Sequence, residues 1–190
     1  GIHTFTVAAT IGSLFAATAF ARDFGDTEKA DLYESAATRM REALQKHLWD
    51  PTTTRFARMA TPIEDSATPS PTGNGRGKHA QGTVTGYRLD MTRDSANYAL
   101  FAFGAYRPGN PMVTAEMRAL WDRLWVKTGV GGCARYERDY YHQVERDNIE
   151  AVPGNPWVIC TLWQAQHRIA IAKTIEELRT AMPLLQWAAA

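Results

Sequence analysis

The stretch of sequence that decides the fold is Gly131-Gly132-Cys133-Ala134-Arg135-Tyr136-Glu137-Arg138-Asp139-Tyr140-Tyr141, followed by Gly154-Asn155-Pro156-Trp157-Val158-Ile159-Cys160-Thr161-Leu162-Trp163. Its first part is a loop that begins with two glycines and carries arginines, two acids and three tyrosines. Its second part predicts the start of an apolar helix. Asn155 is a suitable N-cap, and Pro156 suits the first helical position because its missing N–H would have no partner there. Trp157 would then lie at the mouth of that helix, near Arg135.

An aromatic ring beside an arginine and acids suits the binding of a sugar, because arginine offers a planar fork of fixed donors. The same spacing also fits a helix start with a structural ion pair, and spacing alone leaves both interpretations open. Glu137 and Asp139 closely follow Arg135, and we expect them to orient it by salt bridges. A carboxyl group beside an always-charged arginine has its pKa lowered, whereas a general acid needs its pKa raised. We therefore do not expect this pair to be catalytic.

The hydrophobic pattern predicts an all-α fold in which apolar and amphipathic helices alternate three times. This alternation indicates pairs of one inner and one outer helix, with the apolar first helix buried on most faces. The predicted helices are about Thr4–Phe24, Thr27–Trp49, Ser95–Tyr106, one from Asn110-Pro111, about Pro156–Lys173, and one from the capping box Thr174-Ile175-Glu176-Glu177 that Pro183 kinks or shortens. The predicted apolar stripe of the second helix comprises Leu32, Ala36, Met40, Ala43 and Leu44.

A long segment rich in proline and glycine separates the second and third predicted helices. We expect a flexible loop at about 60–86, because such a stretch inside a compact domain is usually functional or mobile. The strand-like pieces Arg55–Met59 and Val84–Leu89 could pair at its ends. The run Gly73–His79 resembles a phosphate-binding loop only superficially, since it lacks the spacing of the first glycine and the Ser/Thr after the lysine. Nucleotide binding is therefore not expected.

Composition limits the classes of partner and site. The 190 residues suit one domain, 1–190, and 21 basic against 20 acidic residues give a net charge of +1. This balance offers no electrostatic case for nucleic acid or an anionic membrane. The apolar N-terminal run is interrupted by Ser and Thr and lacks a basic flank, so we expect a buried helix there and neither a membrane span nor a signal peptide. No pair of histidines has metal-ligand spacing, and a disulfide between Cys133 and Cys160 stays open.

Three blocks of this sequence resemble the glucoamylase family, glycoside hydrolase family 15. The first is the arginine loop with the Gly-Asn-Pro-Trp helix start described above. The second is Gly1–Val7, and the third is Asp94–Tyr98 with Phe101–Gly104. They occur in the family's order and nearly span the chain. The combination is specific, whereas each block alone would be weak.

The resemblance implies about half of an (α/α)6 toroid and an enzyme that releases glucose from the non-reducing ends of α-glucans with inversion. We expect no cofactor and no metal. Inversion uses one carboxyl group as acid and another as base. In the family, the acid lies just before the block matching Gly1 and the base just after the block matching the end at Ala190. We therefore expect neither catalytic carboxylate in this chain.

What the resemblance carries over is a substrate pocket. The candidate substrate-binding residues are Arg135, Trp157, Asp139, Tyr136 and His3. Arg135 matches the arginine that binds glucose hydroxyls, and Asp139 matches the acid that supports it. His3 either faces the pocket or has a structural role. Trehalose or isomaltose-type substrates stay open within the family, as does a second class of function, a non-catalytic carbohydrate-binding or regulatory module of the same fold.

Overall fold

A computed structural model describes residues 1–64, 84–144 and 146–190 of the chain. The helices are α1 (Thr4–Asp23), α2 (Thr27–Leu48), α3 (Ala99–Ala102), α4 (Pro111–Leu124), α5 (Val158–Ile171), α6 (Ile175–Arg179) and α7 (Met182–Ala189), with a 3₁₀ turn at Ser95–Tyr98. The strands are β1 (Ile2–His3), β2 (Trp49–Asp50), β3 (Arg55–Phe56), β4 (Met59–Glu64) and β5 (Val84–Asp90). The described part of the chain is thus mainly helical, and it has more strands than the two strand-like pieces that the sequence predicts.

Helices α1 and α2 pack against each other, as the predicted pairing of an apolar with an amphipathic helix requires. The chain leaves α1 at Gly25, which has a φ of 74° that only glycine adopts without cost. Asp26 then caps α2 by accepting a hydrogen bond from the backbone N–H of Lys29 (3.1 Å). The predicted apolar stripe of α2 is partly wrong, because Leu32 is 61% exposed and Ala43 is exposed. The residues of α2 that are buried in the structure are Ala30, Ala37, Leu44 and Leu48.

The prediction that α1 is buried on most faces is wrong for the described residues. Helix α1 packs on α2 and α3 along one side, whereas Phe20 on another side is 65% exposed. It is also long and apolar enough to cross a membrane, contrary to the expectation from its hydroxyl residues. Thr10, Ser13 and Thr18 donate their hydroxyls to backbone carbonyls one turn earlier, so the polar groups that interrupt the apolar run are satisfied within the helix. Core helices and signal sequences share this length and composition, so the observation does not by itself indicate a membrane.

The strands form two small antiparallel sheets. One has the order β1-β4-β5 and the other pairs β2 with β3. Of the two predicted strand pieces, Val84–Leu89 pairs with β4, whereas Arg55 and Phe56 pair with β2. The predicted loop at 60–86 is partly wrong, since its described ends, 60–64 and 84–86, are strand. Residues 65–83, including the run Gly73–His79, lie outside the described residues.

The predicted helix Ser95–Tyr106 is much shorter than expected. The 3₁₀ turn capped by Asp94 leads into the single turn α3, and Gly104, with a φ of 83°, reverses the chain. Tyr106 then donates its N–H back to the carbonyl of Leu100 (2.8 Å). The apolar pattern that predicts a long helix here therefore reflects burial of the whole segment. Local geometry at Gly104 ends the helix.

Of the three segments predicted to be inner helices, the middle one contacts the other two. Helix α1 packs on the segment 95–102, and the 3₁₀ turn packs on α5. The rings of Phe5 and Phe103 meet edge to face with centroids 5.7 Å apart, and Tyr98 stacks on Trp163 at 3.9 Å. These aromatic contacts connect α1, the 95–103 segment and α5 in one layer.

The helices from residue 110 onward largely follow the sequence. Asn110 caps α4 by accepting from the N–H of Met112 (2.9 Å), with Pro111 in the first turn. Thr174 and Glu177 form the predicted capping box of α6. Pro183 lies in the first turn of a separate helix, α7, so it shortens the predicted final helix.

A buried acid, Glu116, connects α4 to two other segments in the core. Its carboxylate accepts from the N–H of Phe56 (2.8 Å) and from the side-chain amide of Asn97 (3.0 Å), and Arg55 Nη2 lies 3.7 Å away. Burial raises the pKa of Glu116, and the nearby Arg55 opposes that effect. The carboxylate is thus a junction at which α4, β3 and the 3₁₀ turn meet.

We predict that Glu116→Ala destabilises the fold by about 3–5 kcal/mol, because it leaves the N–H of Phe56, the amide of Asn97 and the charge of Arg55 without a buried partner. Glu116→Gln keeps one acceptor oxygen and should cost less. Urea unfolding measures the difference, with Glu42→Ala on the exposed side of α2 as the control. Equal stability of Glu116→Ala and Glu42→Ala would contradict this role.

A second prediction concerns Gly12 in α1. An alanine Cβ there would lie 1.9 Å from the carbonyl oxygen of Phe103. In an open helix, Gly→Ala stabilises by about 1 kcal/mol. Here we expect Gly12→Ala to destabilise by about 1–3 kcal/mol, because α1 must move away from α3. Thermal unfolding beside Ser13→Ala, at an exposed neighbouring position, checks the sign; a stabilised Gly12→Ala would refute the close contact.

Candidate functional site

Two glycines start the loop that carries Arg135. Gly131 and Gly132 have φ angles of 67° and 81°, in the left-handed region. A Cβ at Gly132 would also come within 2.3 Å of the Trp187 ring and 2.8 Å of Pro156. Glycine is therefore required at Gly132 both by the backbone conformation and by the close packing of α7.

The loop is held by three other segments through its backbone. On one side, Ser95 donates its hydroxyl to the carbonyl of Ala134 and its N–H to the carbonyl of Arg135, both at 2.8 Å. On another, Ala134 donates its N–H to Leu124 at the end of α4 (2.8 Å), and Trp157 donates to Cys133 (2.9 Å). The backbone at Arg135 is consequently fixed relative to the ends of two helices.

The predicted cap of α5 is wrong. The N-cap position is Trp157, in extended conformation, and no side chain caps the helix. Asn155 instead donates its side-chain amide to the carbonyl of Tyr141 (3.0 Å), and Pro156 forms an isolated bridge with Ala134. Pairing with the arginine loop keeps residues 155–157 extended, so the helix begins at Val158. Trp157 is nevertheless at the helix mouth beside Arg135, as the sequence predicts.

Arg135 and Asp139 form a two-pronged ion pair. The Nε of Arg135 donates to Oδ2 of Asp139 (2.8 Å), and Nη2 donates to Oδ1 (2.9 Å). The Asp139 side chain is only 1% exposed, whereas that of Arg135 is 38% exposed. The hydrogen bonds that Arg135 donates to Asp139 raise the pKa of Arg135. The buried carboxylate of Asp139 thus fixes the guanidinium of Arg135, and part of that guanidinium stays exposed at the surface.

Glu137 does not orient Arg135, contrary to the prediction. Its carboxylate accepts from Arg123 Nε (2.6 Å) and Arg93 Nη1 (3.2 Å), and also from the backbone N–H of Arg93. The backbone of Glu137 pairs with the carbonyl of Arg93, which turns its side chain toward α4. Burial would raise the pKa of Glu137, but hydrogen bonds from Arg123 and Arg93 outweigh it and the pKa is lowered.

Three aromatic rings surround the Arg135 guanidinium. Its Cζ lies 4.9 Å from the ring centre of Tyr136, 4.9 Å from that of Trp157 and 5.7 Å from that of Tyr141. Tyr141 also donates its backbone N–H to Asp139 (3.2 Å). The structure therefore brings together four of the predicted residues and adds Tyr141, which its place in the quoted stretch could have indicated.

A second arginine–acid pair adjoins the first, and sequence reasoning missed both members. Arg58 Nε lies 2.8 Å from Oδ2 of the buried Asp94, and Arg58 Cζ is 4.5 Å from the ring centre of Tyr136. Burial raises the pKa of Asp94, opposed by a backbone hydrogen bond and by the charges of Arg58 and Arg135. No local pattern marks Arg58, because it lies 78 positions before Tyr136 in the chain.

His3 lies near this second pair but makes no described side-chain contact with Arg135. It is exposed, pairs with Met59 in the sheet and precedes α1. Its charge acts on the carboxyl groups of Asp90 and Asp94. The start of α1 and the arginine loop therefore lie at the same end of the molecule, with Arg58 between them.

Both cysteines are free, buried thiols, so the disulfide that the sequence left open is absent. Burial raises the pKa of Cys133 and of Cys160 to about 12. A thiolate is the reactive form of cysteine, so neither residue is prepared for nucleophilic chemistry. Among residues 1–64, 84–144 and 146–190 there is also no cluster of three or more His, Cys, Asp or Glu suited to a metal.

Comparison with known proteins assigns this chain to a family. The model of "Glycosyl hydrolases family 15" matches residues 1–189, whereas no curated protein matches. The crystal structure of a bacterial glucoamylase complexed with acarbose is similar in fold, with a TM-score of 0.64 and 17% identity. The match covers 97% of this chain and 27% of the glucoamylase chain, so this chain spans about a quarter of that protein. From its first to its penultimate residue, the chain belongs to glycosyl hydrolases family 15.

Proposed function

We propose that this chain forms the sugar-binding wall of an inverting, exo-acting α-glucoside hydrolase that releases glucose from the non-reducing ends of α-glucans. The observation that carries the proposal is the arrangement of Arg135. Asp139 occupies its Nε and Nη2, and no described residue accepts a hydrogen bond from Nη1. Three aromatic rings lie around the same guanidinium. Family membership and the similarity to a glucoamylase that binds acarbose support a carbohydrate ligand.

The chemistry of the site suits a neutral, hydroxyl-rich ligand. Arg135 can donate from Nη1 to a hydroxyl oxygen, while the paired Asp139 balances its charge and keeps its plane fixed. Trp157 and Tyr141 are partly exposed beside it and offer apolar faces for the C–H groups of a sugar ring. A free anion would gain less here, because the carboxylate of Asp139 already satisfies the arginine.

The two catalytic carboxyl groups are proposed to come from other parts of a longer protein. Inversion needs a protonated acid and an ionised base about 6.5–9.5 Å apart, both reaching the glycosidic bond. The acids at this site are already engaged: Asp139 by Arg135, Glu137 by Arg93 and Arg123, and Asp94 by Arg58. Asp94 has a raised pKa, as an acid catalyst needs, but it is buried beneath Arg58.

The helical arrangement that we propose for the longer protein is the (α/α)6 toroid. Helix α1, the 95–102 segment and α5 would be inner elements, while α2, α4 and the α6–α7 pair would be outer ones. The contacts among the three inner segments and the exposed apolar side chains on α1 and α5 support this assignment. Such exposed apolar surface is typical of a face that packs against further structure.

The first functional prediction is that Arg135→Ala raises KM for maltose roughly tenfold to a hundredfold in the longer enzyme, since a hydrogen bond to a charged group contributes about 1.5–3 kcal/mol. Arg39→Ala is the matched control, because Arg39 is an exposed arginine on α2. Initial rates of glucose release measure both. Equal KM values for the two variants would show that Arg135 does not bind substrate.

The second prediction is that the 190-residue chain alone releases no glucose from maltose or starch, because its site acids are occupied by arginines. The longer enzyme, which would also contain the two catalytic carboxyl groups, should release glucose from both substrates. Matching turnover by the two proteins would place the catalytic carboxyls within this chain, with Glu137 and Asp139 the first to test. Sugar binding without hydrolysis by the longer protein would favour the non-catalytic module.

A further inference from the structure

The backbone of Arg58 is held by two separate elements. Arg58 lies between β3 and β4, and its N–H donates to the carbonyl of Asp90 at the end of β5 (2.8 Å). Its own carbonyl accepts from the N–H of Thr4, the first residue of α1 (3.1 Å). The side chain therefore begins from a fixed point at the end of the molecule where the arginine loop lies.

The side chain of Arg58 lies between a buried carboxylate and the ring of a predicted site residue. Its Nε forms an ion pair with Oδ2 of Asp94 at 2.8 Å, and its Cζ lies 4.5 Å from the ring centre of Tyr136. Arg135 contacts the same ring, with its Cζ at 4.9 Å. Two guanidinium groups thus meet at one tyrosine, and each has its own carboxylate, Asp94 for Arg58 and Asp139 for Arg135.

We infer that Arg58 is a positioning residue for the Arg135 site, and that it acts by fixing the ring of Tyr136 against which Arg135 lies. This inference rests on the proposed function. A planar guanidinium can lie over a ring and pair with a carboxylate at the same time through its separate nitrogens, whereas a compact ammonium group cannot do both. Arg58→Lys therefore keeps the positive charge beside Asp94 but releases the Tyr136 ring.

The contacts of the neighbouring residues show why Arg58, and not one of them, would position the ring of Tyr136. Arg93 also reaches the arginine loop, but it contacts Glu137 on the side that faces α4. His3 is exposed and makes no described side-chain contact with the ring. Arg58 alone, among the described residues, joins the start of α1 to Tyr136 through one side chain and its backbone.

The test is steady-state hydrolysis of maltose by the full-length enzyme carrying Arg58→Lys. We expect KM to rise about tenfold and kcat to stay within about twofold, because the change loosens substrate binding and leaves the reacting carboxyls in place. Arg41→Lys is the matched control: Arg41 of α2 also lies over an aromatic ring, with its Cζ 5.2 Å from the centre of the Phe15 ring of α1, and it has no described contact with the arginine loop. Its KM should stay within about twofold of wild type.

The outcomes separate this inference from the proposed function. If wild-type enzyme neither binds nor hydrolyses maltose, both fail. If wild-type enzyme is active and Arg135→Ala raises KM while Arg58→Lys does not, the proposed function stands and the role of Arg58 is refuted. A fall in kcat with unchanged KM in Arg58→Lys would also refute positioning of the binding wall.

A double-mutant cycle distinguishes positioning from a general loss of stability. Tyr136→Leu removes the ring, so adding Arg58→Lys should then change KM by less than about twofold. A further tenfold rise in that background would overturn the inference. If Arg58→Lys does not fold, Asp94→Asn provides a second test, because it keeps an acceptor for the N–H of Ala96 but removes the charge that holds Arg58. It should raise KM in the same way, and an unchanged KM would count against the role.

Discussion

The loop from 131 to 139 is mostly buried without being a helix or a strand, so its backbone polar groups need partners from other segments. Ser95, the end of α4 and the start of α5 provide them. Each of these elements is in turn packed in the core or against α1. The position of Arg135 therefore depends on correct folding of segments from across the described chain, and the site is a product of the whole fold.

The charges of the site are arranged as separate pairs. Asp139 pairs with Arg135, and Asp94 pairs with Arg58. Glu137 pairs with Arg93 and Arg123. Because each of these carboxylates is paired with one or two arginines, and Arg123 also pairs with Glu150, little net field is left to attract an ion. What stays available is a directed donor on Arg135 and the faces of aromatic rings. This combination suits the neutral, hydroxyl-rich ligand that we propose.

The errors of the sequence predictions have a common physical cause. Asn155-Pro156 has the features of a helix cap, yet the pairing of Pro156 with Ala134 keeps that stretch extended. The apolar run after Asp94 predicts a long helix, but the helix ends after the single turn α3, where Gly104 reverses the chain. Glu137 and Asp139 look equivalent in sequence, and backbone pairing sends them to opposite partners. In each case, contacts between distant segments override a local preference.

The sequence by itself determined the long helices, their caps at Asn110 and Thr174, and the grouping of Arg135, Asp139 and Trp157, because these depend on periodicity, local hydrogen bonds and short separations. Only the tertiary structure decided the start of α5, the short sheets and the partner of Glu137. It alone also brought Arg58 and Asp94 to Tyr136, because no local spacing encodes a contact between residues so far apart in the chain. Those side chains meet only because the contacts of Glu116 in the core and the hydrogen bonds of Ser95 bring the distant segments together.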